Sequence, residues 1–270
     1  MTSALGDTQR AFDGVAAGYE RSNADNSILR AMRARVHQTV QALVPAGAHL
    51  LDLGCGTGSD AAVLATKGYR VTAIDWSPAM VEEARRRVHD AGVTTRVDVQ
   101  HVGIHDIDRL APAGTTFDAA YSNFGPLNCV ADLSAAARGI SGRLQPGGVL
   151  VASVIGRVCP WELAWYAARG DLSRAAIRFR RGLVPVPLDG RTVWARYFYP
   201  REFEAAFTAA GMTRVSLRAL GLFVPPPYLH ALADRHPALV AALQRVDERC
   251  GGWPVLRGWG DHFLVALRKD

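Results

Sequence analysis

The hydrophobic and polar positions of the chain follow two different periods, which predict strands separated by helices. Apolar residues recur every four positions through Ile28, Met32, Val36 and Val40, as on one face of a helix. Short continuous apolar runs such as residues 49–53 are typical of buried strands. We predict helices at 8–19, 27–43, 59–67, 78–90, 131–144 and 200–210, and strands at 49–53, 71–74, 95–102, 117–123, 149–155, 213–220 and 262–267.

This alternation predicts an α/β fold with right-handed crossovers and a parallel sheet covered by helices on both faces. Two stretches, 156–199 and 221–259, connect strands at the edge where open α/β sheets bind ligands, and long connections of this kind are usually lids. With the N-terminal helices they are predicted to form a cap over a substrate. The predicted division is an N-terminal helical cap at 1–44, a binding core at 45–155, a cap insertion at 156–199, and the end of the core sheet at 200–270 with a second insertion at 221–259.

A glycine loop at the end of the first strand indicates a nucleoside site. The run 51–58 reads Leu-Asp-Leu-Gly-Cys-Gly-Thr-Gly, and Asp75 ends the next strand seventeen positions later. Backbone without side chains approaches a ligand closely, and a carboxylate accepts hydrogen bonds from ribose hydroxyls. The dinucleotide pattern G-x-G-x-x-G is not met, because its third glycine falls where Ser59 stands. Asp52 would also repel a pyrophosphate, so a cationic ligand without phosphate is favoured.

Four segments together resemble the class I S-adenosylmethionine-dependent methyltransferases that act on small molecules. Asp-Leu-Gly-Cys-Gly-Thr-Gly at 52–58 resembles the first motif of that family, and 75–80, 117–123 and 144–150 resemble its second-, fourth- and fifth-strand motifs in the correct order. The resemblance covers residues 45–155. It implies a Rossmann-like, seven-stranded, mostly parallel sheet whose last two strands form a hairpin. It also implies S-adenosylmethionine as the cofactor and S-adenosylhomocysteine as the product.

Asp75 and Trp76 are the cofactor-binding residues that the pattern itself indicates most clearly. Asp75 is predicted to accept from both ribose hydroxyls, although an acid there can also cap a helix or face solvent. Trp76 is predicted to pack on one face of the adenine, with plain core packing as the alternative. Gly54, Gly56 and Gly58 are predicted to bring the backbone close to the cofactor.

The resemblance implies further cofactor contacts. Asp52 would hold the ammonium of the methionine end, directly or through water. Asp106 would accept from the adenine amino group while the backbone N–H of Ile107 meets a ring nitrogen, and Asp108 is the alternative acid. His105 is expected beside the cofactor rather than as a catalytic group.

Three more residues are predicted at the cleft. Ser122 and Asn123 end the fourth strand, where they would line the space around the sulfonium, and Tyr19 matches an N-terminal helix pattern of the resembled family. Tyr19 would close over the cofactor, or it is a half-buried core tyrosine. No residue is assigned as a general base, since His230 and His236 are isolated and a lone histidine is usually structural.

Composition and charge narrow the function classes. With 49% hydrophobic and 21% charged residues among 270, a packed globule is expected. Four widely spaced cysteines and no C-x-x-C pair argue against a zinc site and a disulfide framework, and fit the cytoplasm. The first residues lack a basic start and an apolar core, so we expect no secretory signal. The sequence predicts no metal site.

The net charge of +6 does not by itself identify the chemical class of a binding partner. Scattered arginines usually form a solvated surface, and a nucleic-acid partner is not favoured, although a nucleic-acid methyltransferase stays the third alternative. Residues 172–183 combine apolar positions with four arginines. They predict a solvated helix face, with peripheral contact to anionic lipid or binding of an acidic group as alternatives.

The function predicted from these features is methyl transfer to a small, apolar or amphipathic acceptor such as a quinone, polyketide, isoprenoid or lipid. Residues 122–128 lack the Asn-Pro-Pro-Tyr motif of DNA amino-methylases and the paired glutamates of protein arginine methyltransferases. The alternatives are an NAD-linked oxidoreductase and a non-catalytic S-adenosylmethionine-binding protein. Aromatic residues of the predicted cap suit an apolar acceptor or form the cap's own core: Trp161, Trp165, Tyr166, Phe179, Trp194, Tyr197, Phe198, Tyr199 and Phe223. The acceptor atom and the oligomeric state stay open.

Overall fold

Ten α-helices, four short 3₁₀ helices and nine strands form the regular structure of the described part of the chain. The computed structural model describes residues 2–23 and 25–270, so Met1 and Ala24 of the predicted 1–44 segment lie outside the described residues. The helices are α1 (Thr2–Asn23), α2 (Ser27–Leu43), α3 (Ser59–Thr66), α4 (Pro78–Asp90), α5 (Leu133–Arg143), α6 (Pro160–Ala167), α7 (Leu172–Ala175), α8 (Pro200–Thr208), α9 (His230–Arg235) and α10 (Pro237–Cys250). The strands are β1 (His49–Leu53), β2 (Arg70–Asp75), β3 (Val97–His101), β4 (Phe117–Ser122), β5 (Leu144–Ile155), β6 (Val184–Leu188), β7 (Arg191–Ala195), β8 (Met212–Leu220) and β9 (His262–Lys269).

Seven of the strands form one sheet in the order β3-β2-β1-β4-β5-β9-β8, which confirms the predicted seven-stranded, mostly parallel architecture. The first five run parallel, and β9 pairs antiparallel with both β5 and β8. The chain order reverses at β1, because β2 lies on one side of it and β4 on the other. A reversal of this kind opens a crevice at the carboxyl ends of the strands.

Helices cover both faces of the sheet, as predicted. Adjacent residues of β1 point to opposite sides: Leu50 packs in a core with α2, α3 and α4, and Leu51 packs in a second core with α5 and α8. The near-continuous apolar sequence of the central strands follows from this burial on two faces. The sheet is thereby a rigid platform for the residues at its carboxyl edge.

Element boundaries differ from the prediction at several places. β5 begins at Leu144 instead of Val149, because Leu144 already pairs with Phe117 before the register shifts. The first helix spans Thr2–Asn23 instead of 8–19.

The helix considered for residues 172–183 does not form. This stretch holds α7 and a separate 3₁₀ turn at Ile177–Phe179, and Arg178 is buried rather than solvated. The chain turns inward here because Arg178 pairs with carboxylates of other elements. The amphipathic helix on which the lipid alternative depended is therefore absent.

The two insertions and α1 gather above the carboxyl edge of the sheet. The first insertion carries α6, α7 and the β6–β7 hairpin, and the second carries α9 and α10. Trp194 of β7 is tied to α1, since its backbone N–H donates to Thr8 Oγ1 (3.0 Å) and its indole N–H donates to Asp7 (3.2 Å). No helix in the described ranges is long and apolar enough to cross a membrane.

Candidate functional site

A cavity of about 700 Å³ lies at the carboxyl edge of the sheet. Its wall is built by the glycine loop, the ends of β2 and β4, the start of β9, helices α1 and α2, the β6–β7 hairpin and the second insertion. The volume is in the range of small-molecule sites, which prefer this edge of an open α/β sheet.

The three glycines of the loop meet different surroundings. All have positive φ (+77°, +53° and +76°), which favours glycine over residues with a Cβ. Gly54 and Gly56 line the cavity, and a Cβ on Gly56 would meet open space. Gly58 does not line it: a Cβ there would lie 3.0 Å from the Cα of Ala84 in α4. Close packing of the loop against α4, rather than ligand approach, therefore requires glycine at position 58.

We expect Gly58→Ala to lower the free energy of unfolding more than Gly92→Ala does. Both positions have positive φ, which costs roughly 1–2 kcal/mol for alanine, but only Gly58 adds the contact with Ala84. Overpacking of this kind costs about 1 kcal/mol or more. Urea denaturation measures the difference between the two variants. Equal losses would show that α4 does not constrain the loop.

Asp75 pins the glycine loop from the end of β2. Its two carboxylate oxygens accept from the backbone N–H groups of Gly56 and Ser77, both at 2.8 Å. Burial raises the pKa of this carboxyl, and the two N–H donors act in the opposite direction. A carboxylate oxygen accepts more than one hydrogen bond, so acceptor capacity is left for hydroxyl groups of a ligand.

Trp76 and His105 form a tilted ring pair in the cavity wall, with 40° between the ring planes. Their ring centroids lie 3.7 Å apart, and burial lowers the pKa of His105. A flat ligand bound next to Asp75 could therefore pack against these two rings.

Of the eleven predicted cofactor residues, six lie in the cavity wall: Tyr19, Gly54, Gly56, Asp75, Trp76 and Asn123. The other five lie outside it and hold neighbouring structure in place: Asp52, Gly58, Asp106, Ile107 and Ser122. Their predicted contacts with a cofactor stay predictions.

The five residues outside the wall have other partners. Asp52 is 2% exposed and accepts from the hydroxyl of Tyr121 at 2.7 Å. Burial and the charge of Asp60 raise its pKa well above the usual range. Ser122 donates to the carbonyl of Leu53 at 3.1 Å. Asp106 faces Arg109 at 3.3 Å, and Ile107 is packed in the core between sheet and α5. Asp52 and Ser122 thus join β1 to β4 beneath the loop.

A polar cluster beside the glycine loop was not predicted from the sequence. Asp60 accepts from His37 (2.6 Å) and from the amide of Asn123 (3.1 Å), and Arg33 lies 3.3 Å from it. Burial raises the pKa of Asp60, but the bond from His37 and the charge of Arg33 bring it below its usual value. The only sequence signal was a histidine within the apolar stripe of α2.

Asn123 carries an unused acceptor in this cluster. Its Oδ1 is buried without a hydrogen-bond partner among the described residues, and its side chain lines the cavity. A buried acceptor without a partner costs roughly 1–3 kcal/mol. A ligand group with N–H donors, such as an ammonium, would satisfy it.

The charges of the wall favour a cation. Five carboxylates line the described cavity against two guanidinium groups: Glu20, Asp60, Asp75, Glu162 and Asp261 against Arg33 and Arg178. A pyrophosphate would meet net repulsion here, whereas a sulfonium and an ammonium would be stabilised.

A second buried polar cluster lies on the opposite side of the cavity. Arg178 bonds to Glu162 and, at 2.6 Å, to Asp261, whose other oxygen lies 2.9 Å from Nδ1 of His262. The hydroxyl of Tyr228 donates to Glu162 at 2.8 Å. The adjacent Asp261 and His262 at the start of the last strand were the sequence signal for this cluster.

The predicted aromatic set of the cap includes both lining and core residues, the two alternatives that the sequence left open. Of its nine members, Tyr197 is the one found among the described lining residues. Phe198 lies in the core, and Trp161 donates to the carbonyl of Phe223 outside the lining. The aromatic wall includes Phe12 of α1 and Phe124 after β4 instead. No group of three metal-ligating side chains is assembled within residues 2–23 and 25–270.

Comparisons with known proteins match the core. The family model described as a methyltransferase domain matches residues 50–148. A ubiquinone biosynthesis O-methyltransferase of Methylocella silvestris is 31% identical over 167 residues, which are 62% of this chain and 59% of the relative. A demethylmenaquinone methyltransferase of Clavibacter sepedonicus is 38% identical over 46% of this chain and 49% of the relative.

The match thus spans about half to three fifths of these curated relatives. Among solved structures, an S-adenosylmethionine-dependent methyltransferase from Mesorhizobium loti superimposes with a TM-score of 0.57 at 21% identity, covering 88% of this chain and 98% of that one. This likeness concerns the fold. Together with the ordered motifs, the family match shows that residues 50–148 form a methyltransferase domain, similar to that of the class I S-adenosylmethionine-dependent methyltransferases.

Proposed function

We propose that this chain transfers the methyl group of S-adenosylmethionine to a small, apolar or amphipathic acceptor. The observation that carries the proposal is one continuous cavity that runs from the glycine loop and Asp75 to an apolar region under the insertions. Such a cavity accommodates donor and acceptor side by side.

The residues on the glycine-loop side of the cavity fit the donor by their chemistry. Asp75 would accept from the ribose hydroxyls, and Trp76 with His105 would pack against the adenine. The unused oxygen of Asn123 and the carboxylate of Asp60 suit the ammonium. Tyr19, on α1, lines the same space and would close over the donor.

The donor, when bound, supplies an electrophilic methyl group on a positive sulfonium. The chain then needs mainly to align an acceptor in line with that methyl and to exclude water, and alignment alone contributes up to roughly 7–11 kcal/mol in favourable cases. We propose that α1, α2 and the insertions at 156–199 and 221–259 act as the cap that does this. Apolar groups from three of them support the assignment: Phe12 of α1, Val193 of β7 and Pro227 of the second insertion line the cavity.

The acceptor class follows from that apolar lining. Quinones, polyketides, isoprenoids and lipid-like molecules present the large apolar surface that such a wall buries. The names of the two curated relatives described above refer to ubiquinone and to demethylmenaquinone, which supports a quinone-like acceptor first. Nucleic acid is disfavoured as a partner, because the wall carries more carboxylates than guanidiniums.

The proposed cofactor is tested by binding rather than by turnover. We expect isothermal titration calorimetry to show one equivalent of S-adenosylhomocysteine bound and no heat with NADH. Tight NADH binding without a response to S-adenosylhomocysteine would support the oxidoreductase alternative and overturn the proposal. Methyl transfer is then measured with labelled donor and a panel of quinols, phenols, isoprenoid alcohols and fatty acids. Binding of the donor without labelled product from that panel or from cell extracts would favour the non-catalytic alternative.

A further inference from the structure

We propose that His262 is the general base of this enzyme, that Asp261 positions it, and that the acceptor is a phenolic or enolic hydroxyl. This inference rests on the proposed function, because it assigns the proton that the acceptor loses during methyl transfer. The geometry that supports it is a histidine in the cavity wall with one ring nitrogen bound to a carboxylate and the other nitrogen unused.

The topology places His262 at the catalytic edge of the sheet. β9 is antiparallel to β5, and its first residue, His262, pairs with Ile155, the last residue of β5. An antiparallel strand therefore begins where the parallel strands end. Asn123, which follows β4, and Ile155 line the same cavity as His262. A side chain from the opposite end of β9 could not reach this space.

The neighbours of His262 determine its tautomer. Nδ1 lies 2.9 Å from Oδ2 of Asp261, whose other oxygen binds the guanidinium of Arg178 at 2.6 Å. Burial raises the pKa of Asp261, but the neighbouring His262 and Arg178 outweigh it and hold this pKa well below its usual range. Asp261 is then a carboxylate with no proton to donate. Nδ1 must carry the hydrogen, and in a neutral ring Nε2 is the acceptor.

Within the described part of the chain, Nε2 of His262 is the nitrogen left without a partner, on a residue of the cavity wall. It is buried and has no hydrogen-bond partner among the described residues, and the side chain is 8% exposed. Phe124 packs edge-on against the ring at 6.2 Å between centroids. A buried basic nitrogen without a partner at a cavity wall is the arrangement that a general base requires before its substrate binds.

The proton balance of the step follows from this arrangement. As the acceptor oxygen forms its bond to the methyl carbon, the C–S bond of the sulfonium breaks and its electron pair stays on sulfur. The O–H proton passes to Nε2, and the resulting imidazolium is stabilised by the Asp261 carboxylate. The proton then leaves to solvent with product release. No oxidant or second cofactor is needed.

A base at this position selects the class of acceptor. A carboxylate or an ionised thiol needs no proton removed at neutral pH, whereas most phenols and enols do. The groups that surround His262 are an aromatic ring, a carboxylate and, behind it, a guanidinium. A neutral hydroxyl on an apolar ring fits this lining better than a second cation.

The first test reads the tautomer directly. In protein labelled with ¹⁵N-histidine and saturated with S-adenosylhomocysteine at pH 8, we expect one resonance pair with hydrogen on Nδ1 and a bare Nε2, absent from the spectrum of His262→Gln. Hydrogen on Nε2, or a doubly protonated ring, would overturn the proposal without any knowledge of the acceptor. Asp261→Asn, which can accept or donate, is expected to allow the opposite tautomer.

The second test uses phenols of different acidity as probe acceptors. With an unsubstituted phenol, His262→Gln is expected to lower kcat at least a hundredfold with little change in KM, since general base catalysis typically contributes 10²–10⁴-fold. With its nitro-substituted counterpart, already ionised at pH 8, the loss is expected to stay below tenfold. His236→Gln, at an exposed histidine, is the matched control and should be unchanged on both.

Equal losses on both phenols would assign His262 a structural role and overturn the proposal. Affinity for S-adenosylhomocysteine, measured on the same variants, separates this from failure of the proposed function. A wild-type protein that binds no S-adenosylhomocysteine would contradict the proposed function itself.

Discussion

Replacement of Arg178 by methionine is expected to lower the free energy of unfolding by about 3–5 kcal/mol, the cost of leaving buried charges without their partner. Arg178 is 4% exposed and bonds to the carboxylates of Glu162 and Asp261 and to the carbonyls of Gly156 and Asp261. Methionine fills similar space but leaves two buried acids facing each other. Thermal unfolding should shift downward on the order of 10 °C, at about 2–4 °C per kcal/mol.

The matched control is Arg174→Met, four residues earlier in the same arginine-rich stretch. Its side chain is 67% exposed and pairs with Asp171 at the surface, so the loss should stay within about 1 kcal/mol. Adding Glu162→Gln to Arg178→Met removes one of the uncompensated charges and should recover part of the stability. Similar small losses at both arginines would contradict the buried cluster.

Asp75→Ala is expected to weaken binding of S-adenosylhomocysteine at least tenfold, or about 1.4 kcal/mol. The substitution removes the acceptors proposed for the ribose hydroxyls. It also frees the N–H groups of Gly56 and Ser77, so the loop loses its anchor to β2. Titration calorimetry measures the affinity, and circular dichroism should show a folded protein with the secondary structure of the wild type.

Two further variants make this result specific. Asp75→Asn keeps one carbonyl acceptor and should bind more tightly than Asp75→Ala. Asp98→Ala, at an exposed acid on neighbouring β3, should leave the affinity unchanged. If Asp75→Ala binds as well as wild type, the ribose does not lie against this carboxylate and the proposed orientation of the donor is wrong.

The sequence predicted the sheet and one side of the cavity because those features are local. A strand, a tight glycine turn and an acid at the end of the next strand lie within residues 49–75, so their spacing alone places Asp75 beside Gly56. Gly58 shows the limit of this reasoning. Its positive φ is readable from the motif, but its contact with Ala84 depends on how α4 packs.

The two polar clusters of the cavity could not be predicted, because their residues meet only in the folded chain. Arg178 and Asp261 of the second cluster are 83 positions apart, and Asn123 and Asp60 beside the glycine loop are 63 apart. The surface role expected for the four arginines of 172–183 holds for Arg174, Arg180 and Arg181, which are exposed, and is wrong for Arg178. The sequence pattern of one segment does not show that buried carboxylates elsewhere in the chain pair with Arg178.

By itself, the sequence determined the alternation of strands and helices, the methyltransferase motifs of the core and the residues beside the glycine loop, since backbone conformation and short-range spacing follow from local side-chain chemistry. Only the tertiary structure decided which acids face the cavity, which way Arg178 turns and that His262 is held by Asp261 with one nitrogen unused. These features depend on burial, and burial is set by the packing of segments that lie far apart in the sequence.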